Sequence, residues 1–273
     1  TDAEVAALAD DSLARSLAAI DDAGRQGVDL ICFPECYVPG YRAPNHQVTP
    51  PDAGFLDRAY RDVAAAAGRA NVGVLLGTER LVNGRPMITT LVVNRDGSVA
   101  GWQDKVQLDP SEDALYEAGT ERRVFTAGAV TFGLSICHEA WRYPETVRWA
   151  ARRGAQVVFH PHFHEPEPGS YRPTTFADPA NSFHEKAVLC RAAENNCWFA
   201  SVNAASEGSG TTSAIARSSE FEPNTRSTTV PATARTGAAV AAVISGVGTS
   251  CGASGATSGA ATTGHSSTAA SRA

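Results

Sequence analysis

Apolar residues along the first two hundred positions recur in blocks that alternate between a helical and an extended period. Leu13, Leu17 and Ile20 share one helical face, which predicts a helix over 12–24 with Asp10 or Asp11 as its cap. The largely apolar run from Gly27 to Phe33 predicts a buried strand. Pro34 cannot donate to a sheet ladder, so that strand should stop there, with Glu35 at the sheet rim. Phe55, Leu56, Ala59 and Val63 repeat the helical spacing over 55–70, and 71–77 supplies the next strand. The turn signals Asn83-Gly84 and Asp96-Gly97 flank Met87 to Val93, predicting an antiparallel patch. Phe132, Leu134 and Ile136 alternate with smaller residues. Pro144 then opens a helix carrying Val147, Trp149 and Ala150, Gly154 ends it, and 155–160 reads as a further strand. Strand and helix in alternation predict the α/β class, and 273 residues suffice for one large domain of it.

The pattern fails towards the end of the chain. No leucine occurs after Leu189, and most residues from Ser227 to Ala273 are Ala, Gly, Ser or Thr. Such a stretch has little apolar surface to offset its ordering entropy, so it is expected to be disordered or loosely packed. The domain is therefore expected to span 1–216, with a low-complexity tail over 217–273. The abrupt loss of Leu, Lys and Asp suggests a shifted reading frame or truncated gene near 217; a natural flexible tail is the alternative.

A formal charge of -6 argues against a nucleic-acid backbone as partner, and no stretch is long and apolar enough to span a bilayer. The six cysteines show no secreted-scaffold spacing and the chain shows no apolar export signal, so a reducing cytoplasm is the expected setting. Nothing resembles a dinucleotide or phosphate loop, and no cofactor is expected.

Cys137 falls where the strand ending at Ile136 gives way to a helix, a place where a side chain is held rigidly and exposed. A thiol facing helix-forming N–H groups there is expected to have a lowered pKa; a buried structural cysteine is the plain alternative. Lys105 is one of two lysines, the other being Lys186, in a chain where arginine is the default cation. Lysine is a compact charge whose pKa can move, and arginine is not. Taken singly, Glu35 reads equally as a solvated carboxylate and Lys105 as a surface charge.

Taken together and in order, Phe33-Pro34-Glu35, Asp104-Lys105 followed by Leu108, Pro110 and Glu112, Ser135-Ile136-Cys137, and Arg191-Ala192 with Glu194-Asn195 resemble the signatures of the nitrilase superfamily, the carbon-nitrogen hydrolases. The resemblance runs over residues 12–216. It implies a nitrilase-type αββα sandwich with mixed sheets, and assembly as a homodimer or larger homo-oligomer. It also implies that Cys137 is the nucleophile, Glu35 the general base, Lys105 the cation that steadies a tetrahedral intermediate, and Glu112 a second glutamate that positions the reacting groups. Those residue types suit the chemistry: attack on an amide carbon needs a deprotonated sulfur, a group that takes and returns a proton, and positive charge where the oxyanion develops. The His138 N–H would be a second oxyanion donor, and His138, Trp141 and His162 are expected to contact substrate. Glu112 also reads as ordinary loop charge.

The function expected is hydrolysis of a non-peptide C–N bond in a small amide or N-carbamoyl compound through a Cys thioester, releasing ammonia or an amine. Family members that act on nitriles commonly carry Trp-Glu after the cysteine, where this chain has His138-Glu139, which favours amides; a nitrilase or a catalytically inactive binding module are the alternatives. His160, His162 and His164 would share a strand face and, with Glu165, could ligate zinc. Pro161 and the Pro/Gly-rich stretch after it suggest a loop instead, and no metal is expected. Two departures from the family stand out. The alanine-rich, acidic start lacks its usual first strand, and Arg217 follows Ala216 where a Pro-Asp-Gly turn is usual.

Overall fold

The computed structural model describes residues 2–42, 47–165, 171, 175, 177–180 and 183–204, together with the backbone of two strands at Ala214–Ala216 and Ala242–Ile244. α1 (Asp2–Arg25) buries Leu13, Ile20 and Ala23. It begins ten residues before the expected start, because the alanine-rich opening is itself a good helix former. The cap expected at Asp10 or Asp11 is thereby overturned: both lie inside the helix, with Asp10 reaching Arg58 of the neighbouring helix at 2.6 Å and Asp11 paired with Arg15. No strand precedes α1 among the described residues.

α2 (Ala53–Ala70) starts at Asp52, whose side chain accepts the N–H groups of Gly54 and Phe55 at 2.8 and 3.1 Å, and stops at Asn71 in the left-handed conformation. β1 (Leu30–Cys32) pairs parallel with β2 (Gly73–Val82). The Asn83-Gly84 turn, with φ of 52° and 79°, folds β3 (Arg85–Val93) back onto β2, and β4 (Val99–Asp104) completes the antiparallel patch. β5 (Val124–Ala127) and β6 (Val130–Leu134) form a hairpin. Then follow α3 (His138–Arg142), α4 (Pro144–Ala151), β7 (Val157–His162), α5 (Phe183–Asn195), β8 (Trp198–Asn203), β9 (Ala214–Ala216) and β10 (Ala242–Ile244).

The strands make two five-stranded mixed sheets, β10-β1-β2-β3-β4 and β5-β6-β7-β8-β9. Leu30, Cys32, Leu75 and Val92 of the first sheet meet Phe132, Leu134, Phe159 and Val202 of the second. Ile31, Val74 and Leu76 face the other way, onto α1 and α2, while α3, α4 and α5 cover the outer face of the second sheet. This is the αββα sandwich, and it explains the near-continuous apolar runs of β1 and β2, which are buried on both faces.

Two local readings change. The helix expected from Pro144 is α4, but the turn expected between Cys137 and Pro144 holds a further short helix, α3, which meets α4 at Tyr143. The loop expected at Pro161 is instead the end of β7, paired in register with Val202. Proline there forfeits only a donor, and its carbonyl still accepts the Cys137 N–H at 3.0 Å. In the tail, Ala242–Ile244 forms β10, antiparallel to β1. The remainder of 217–273, and with it the expectation of loose packing, lies outside the described residues.

Candidate active site

Three segments leave the sheets at one rim. Past β1, the Phe33 N–H still reaches Leu75 O at 2.8 Å. Pro34 has no N–H to continue the ladder, and Glu35 follows. Gly77 of β2 makes room for this exit: a Cβ there would lie 1.7 Å from Pro34 O and 3.0 Å from Glu35 Cα. Lys105 directly follows β4, held by its N–H on Ile88 O at 2.9 Å and by the Gly119 N–H on its own carbonyl at 2.7 Å. Beyond β6, Ser135 N–H reaches Phe159 O and Cys137 N–H reaches Pro161 O, both at 3.0 Å, so the cysteine is pinned to β7 before α3 begins. Its φ of 48° and ψ of -114° are a strained combination for a residue with a side chain.

These exits bring the distant residues together. Lys105 Nζ lies 2.8 Å from Glu35 Oε1 and 2.7 Å from Glu112 Oε1, and none of the three side chains is more than 2% exposed. Glu112 also accepts the Tyr41 hydroxyl at 2.6 Å and the Asp109 N–H at 2.8 Å. Phe163, one residue past β7, touches both other members: its N–H donates to Glu35 Oε2 at 3.1 Å and its carbonyl faces Cys137 Sγ at 3.6 Å. Its ring stacks on Tyr41 with centroids 4.8 Å apart, which closes this side of the cluster.

Burial dominates the electrostatics. It pushes the Glu35 carboxyl up to about 7; the Glu112 charge adds to the rise, while the Lys105 charge and hydrogen bond oppose it. For Lys105, burial alone would lower the pKa, but the charges of Glu35, Cys137 and Glu112 outweigh it and hold the ammonium protonated. Burial, then Glu35, pushes the Cys137 thiol well above its usual value, with Lys105 opposing. The expectation of a lowered thiol pKa is therefore corrected. The resting sulfur is protonated, because a sealed site with carboxylates close by disfavours an anion more than one ammonium and a five-residue helix favour it.

The remaining sequence-predicted residues take distinct places. The His138 imidazole turns to Asp109, with Nδ1 2.8 Å from Oδ2. Its backbone N–H has no acceptor among the described residues. Trp141 is buried on α3, where its ring meets those of His160, His162, His164 and His184 edge-on. His162 is sealed on β7, its Nε2 3.0 Å from Ser201 Oγ. Among the described residues no group of three or more His, Cys, Asp or Glu side chains is arranged to hold a metal ion. Arg191 of α5 caps α3, its guanidinium donating to Ala140 O at 2.9 Å and Trp141 O at 3.1 Å.

One residue escaped the sequence reading. Glu139, buried, accepts N–H groups from Val106 at 2.8 Å, Gln107 at 3.1 Å and Ile136 at 2.9 Å, bracing the segment after Lys105 against the one before Cys137. Its signal was a lone glutamate in the first turn of a helix, which resembles ordinary dipole-complementing charge. A cavity of about 310 Å³ lies far from this rim, between Leu30, Gly73, Asn94 and Phe132 at the other end of the strands, and contains none of the clustered groups.

Comparison with known proteins gives these observations a context. The sequence profile of the family described as carbon-nitrogen hydrolase matches residues 4–248. An (R)-stereoselective amidase from Pseudomonas sp. is 29% identical over 199 residues, covering 72% of this chain and 66% of that protein. A nitrilase from Pyrococcus abyssi is 30% identical over 148 residues, covering 52% of this chain and 55% of that one. The chain thus spans about two thirds or less of the length of these curated relatives. Among solved structures, an amidase from Nesterenkonia sp. superposes with a TM-score of 0.63 at 25% identity, covering 77% of each chain. A glutamine-dependent NAD+ synthetase from Acinetobacter baumannii shares the fold, with a TM-score of 0.64 at 21% identity over 77% of this chain and 39% of the other.

Proposed function

As this chain belongs to the carbon-nitrogen hydrolase family, we propose that it hydrolyses the C–N bond of a small amide or N-carbamoyl compound through a thioester on Cys137. The observation that carries this reading is Lys105 Nζ bridging Glu35 and Glu112 at 2.8 and 2.7 Å, sealed from solvent, with Phe163 linking Glu35 to Cys137.

In the reaction, ionised Glu35 takes the Cys137 proton as the sulfur attacks the carbonyl carbon, so the high thiol pKa is overcome only when substrate is in place. Negative charge moves to the carbonyl oxygen, where the Lys105 ammonium and the His138 N–H receive it. Collapse breaks the C–N bond, and Glu35 returns the proton to the departing nitrogen. Water, deprotonated by Glu35, then attacks the thioester; collapse frees the acid, and the proton returns to sulfur. Glu112, fixed by Tyr41 and Asp109, holds Lys105 in place through this cycle. Of the contacts expected at His138, Trp141 and His162, the first acts through its N–H, and the other two form the wall behind Cys137.

Similarity to the Pseudomonas amidase and the Nesterenkonia amidase favours amides, and similarity to the Pyrococcus nitrilase keeps a nitrile as the second reading. Ammonia release from a panel of small amides and N-carbamoyl amino acids, set against the matching nitriles, tests the choice. Release from nitriles alone would defeat the amidase reading. Two expectations belong to the same proposal. Exposed Phe183 and Leu189 on α5 support a homo-oligomer, and the five described cysteines, all free thiols, support a reducing cytoplasm. No helix among the described residues is long and apolar enough to cross a membrane.

A further inference from the structure

The carbonyl of Cys137 is held from behind. His160 Nε2 lies 3.0 Å from Cys137 O, in a fully buried position on β7. A carbonyl can only accept, so Nε2 carries the proton. Burial holds the His160 pKa down at about 3, so the ring is neutral and its Nδ1 is a bare acceptor. Ser201 Oγ, 3.0 Å from that Nδ1, therefore donates its single proton to it. With that proton committed, Ser201 Oγ must accept from His162 Nε2, also at 3.0 Å. The chain from His162 through Ser201 and His160 to Cys137 O thus runs in one direction, and both tautomers follow from the carbonyl at its end.

That carbonyl belongs to the peptide unit whose other end is the His138 N–H. In a planar trans peptide the C=O and N–H point in opposite directions, so fixing one aims the other. Lying at the start of a five-residue helix, this N–H has no intrahelical acceptor. We propose that His160 is a positioning residue for the oxyanion donor: by holding Cys137 O from the core side, it turns the His138 N–H towards the substrate carbonyl. A donor on the carbonyl also polarises the peptide and strengthens that N–H. The role rests on the acyl-transfer reading given above, and it is distinct from the zinc ligation considered for His160 in the sequence.

Two reactions of one sulfur separate this role from mere support of the fold. Acylation of Cys137 by p-nitrophenyl acetate builds an oxyanion, whereas alkylation by iodoacetamide displaces iodide at a tetrahedral carbon and builds none. In His160→Leu, acylation should slow by roughly tenfold to a hundredfold, while alkylation stays within about twofold of the wild type. His160→Gln, which places an N–H near the Nε2 position, should recover most of the acylation rate. Parallel loss of both reactions in His160→Leu, unchanged acylation there, or no recovery in His160→Gln would each overturn the proposal. Amide turnover by the wild type is scored separately: its absence, with ester acylation intact, would sink the amidase reading and leave the His160 comparison standing.

Discussion

Glu139 accepts the Val106 N–H at 2.8 Å, which ties the residue two places beyond Cys137 to the residue immediately after Lys105. The nucleophile and the cation, 32 positions apart in the chain, are thus braced by one buried carboxylate whose other bonds go to Gln107 and Ile136. Glu139→Ala should leave the buried Ile136 N–H and the part-buried N–H groups of Val106 and Gln107 unpaired, costing about 3 kcal/mol. Calorimetry should then show a melting temperature lower by roughly 6 °C or more, with kcat/KM reduced as well. An unchanged melting temperature and activity would show that the brace is dispensable.

Glu35 sets the acid side of the pH profile. It accepts the thiol proton only when ionised, and its pKa is about 7, so kcat/KM should climb with pH below that value and level off above it. The same shift has a stability consequence of defined sign. Because the folded carboxyl holds its proton more tightly than the unfolded one, its contribution to stability is complete below the usual 4.5 and is lost as pH rises through about 7. A pH–rate profile flat from pH 5 to 8 would contradict the assignment of the base.

Glu112 raises the Glu35 pKa through its charge. Glu112→Gln should therefore move the acid limb of the kcat/KM profile to lower pH, while also lowering the maximum because Lys105 loses a charged partner. A limb displaced upward, or not at all, would mean that the two carboxylates are uncoupled.

Gly77 is needed for space. Alanine there would put a Cβ 1.7 Å from Pro34 O, and the strand exit carrying Glu35 would have to shift. Displacement by about 1 Å should reduce kcat on the order of a hundredfold. Gly84→Ala serves as the control: a Cβ there meets nothing within 4 Å, but φ is +79°, so it should cost about 1 kcal/mol of stability and leave kcat unchanged. Comparable kcat values for the two variants would remove the steric argument.

What could be read before the fold was known, and what could not, divides along physical lines. Pro34 ends the β1 ladder and Asn83-Gly84 makes the hairpin because those residues act through their own backbone. The rim positions of Glu35, Lys105 and Cys137 follow from such local stops. The direction of the thiol shift was misread, because it depends on burial beside Glu35 and Glu112, which no local pattern contains. Pro161 suggested a loop, yet β7 continues through it on the strength of pairing with β8. β10 was hidden in low-complexity sequence, where Val243 and Ile244 form a short apolar island beside β1. Glu139 and His160 were missed as positioning groups for a related reason: each acts on backbone atoms brought near only by the tertiary fold.

The most direct test of the central claim is the mass of Cys137 during turnover. Wild-type protein mixed with a small primary amide and acid-quenched should carry the acyl group on the peptide containing Cys137, with ammonia released, and Cys137→Ala should show neither adduct nor ammonia. Ammonia release that persists in Cys137→Ala would contradict the account.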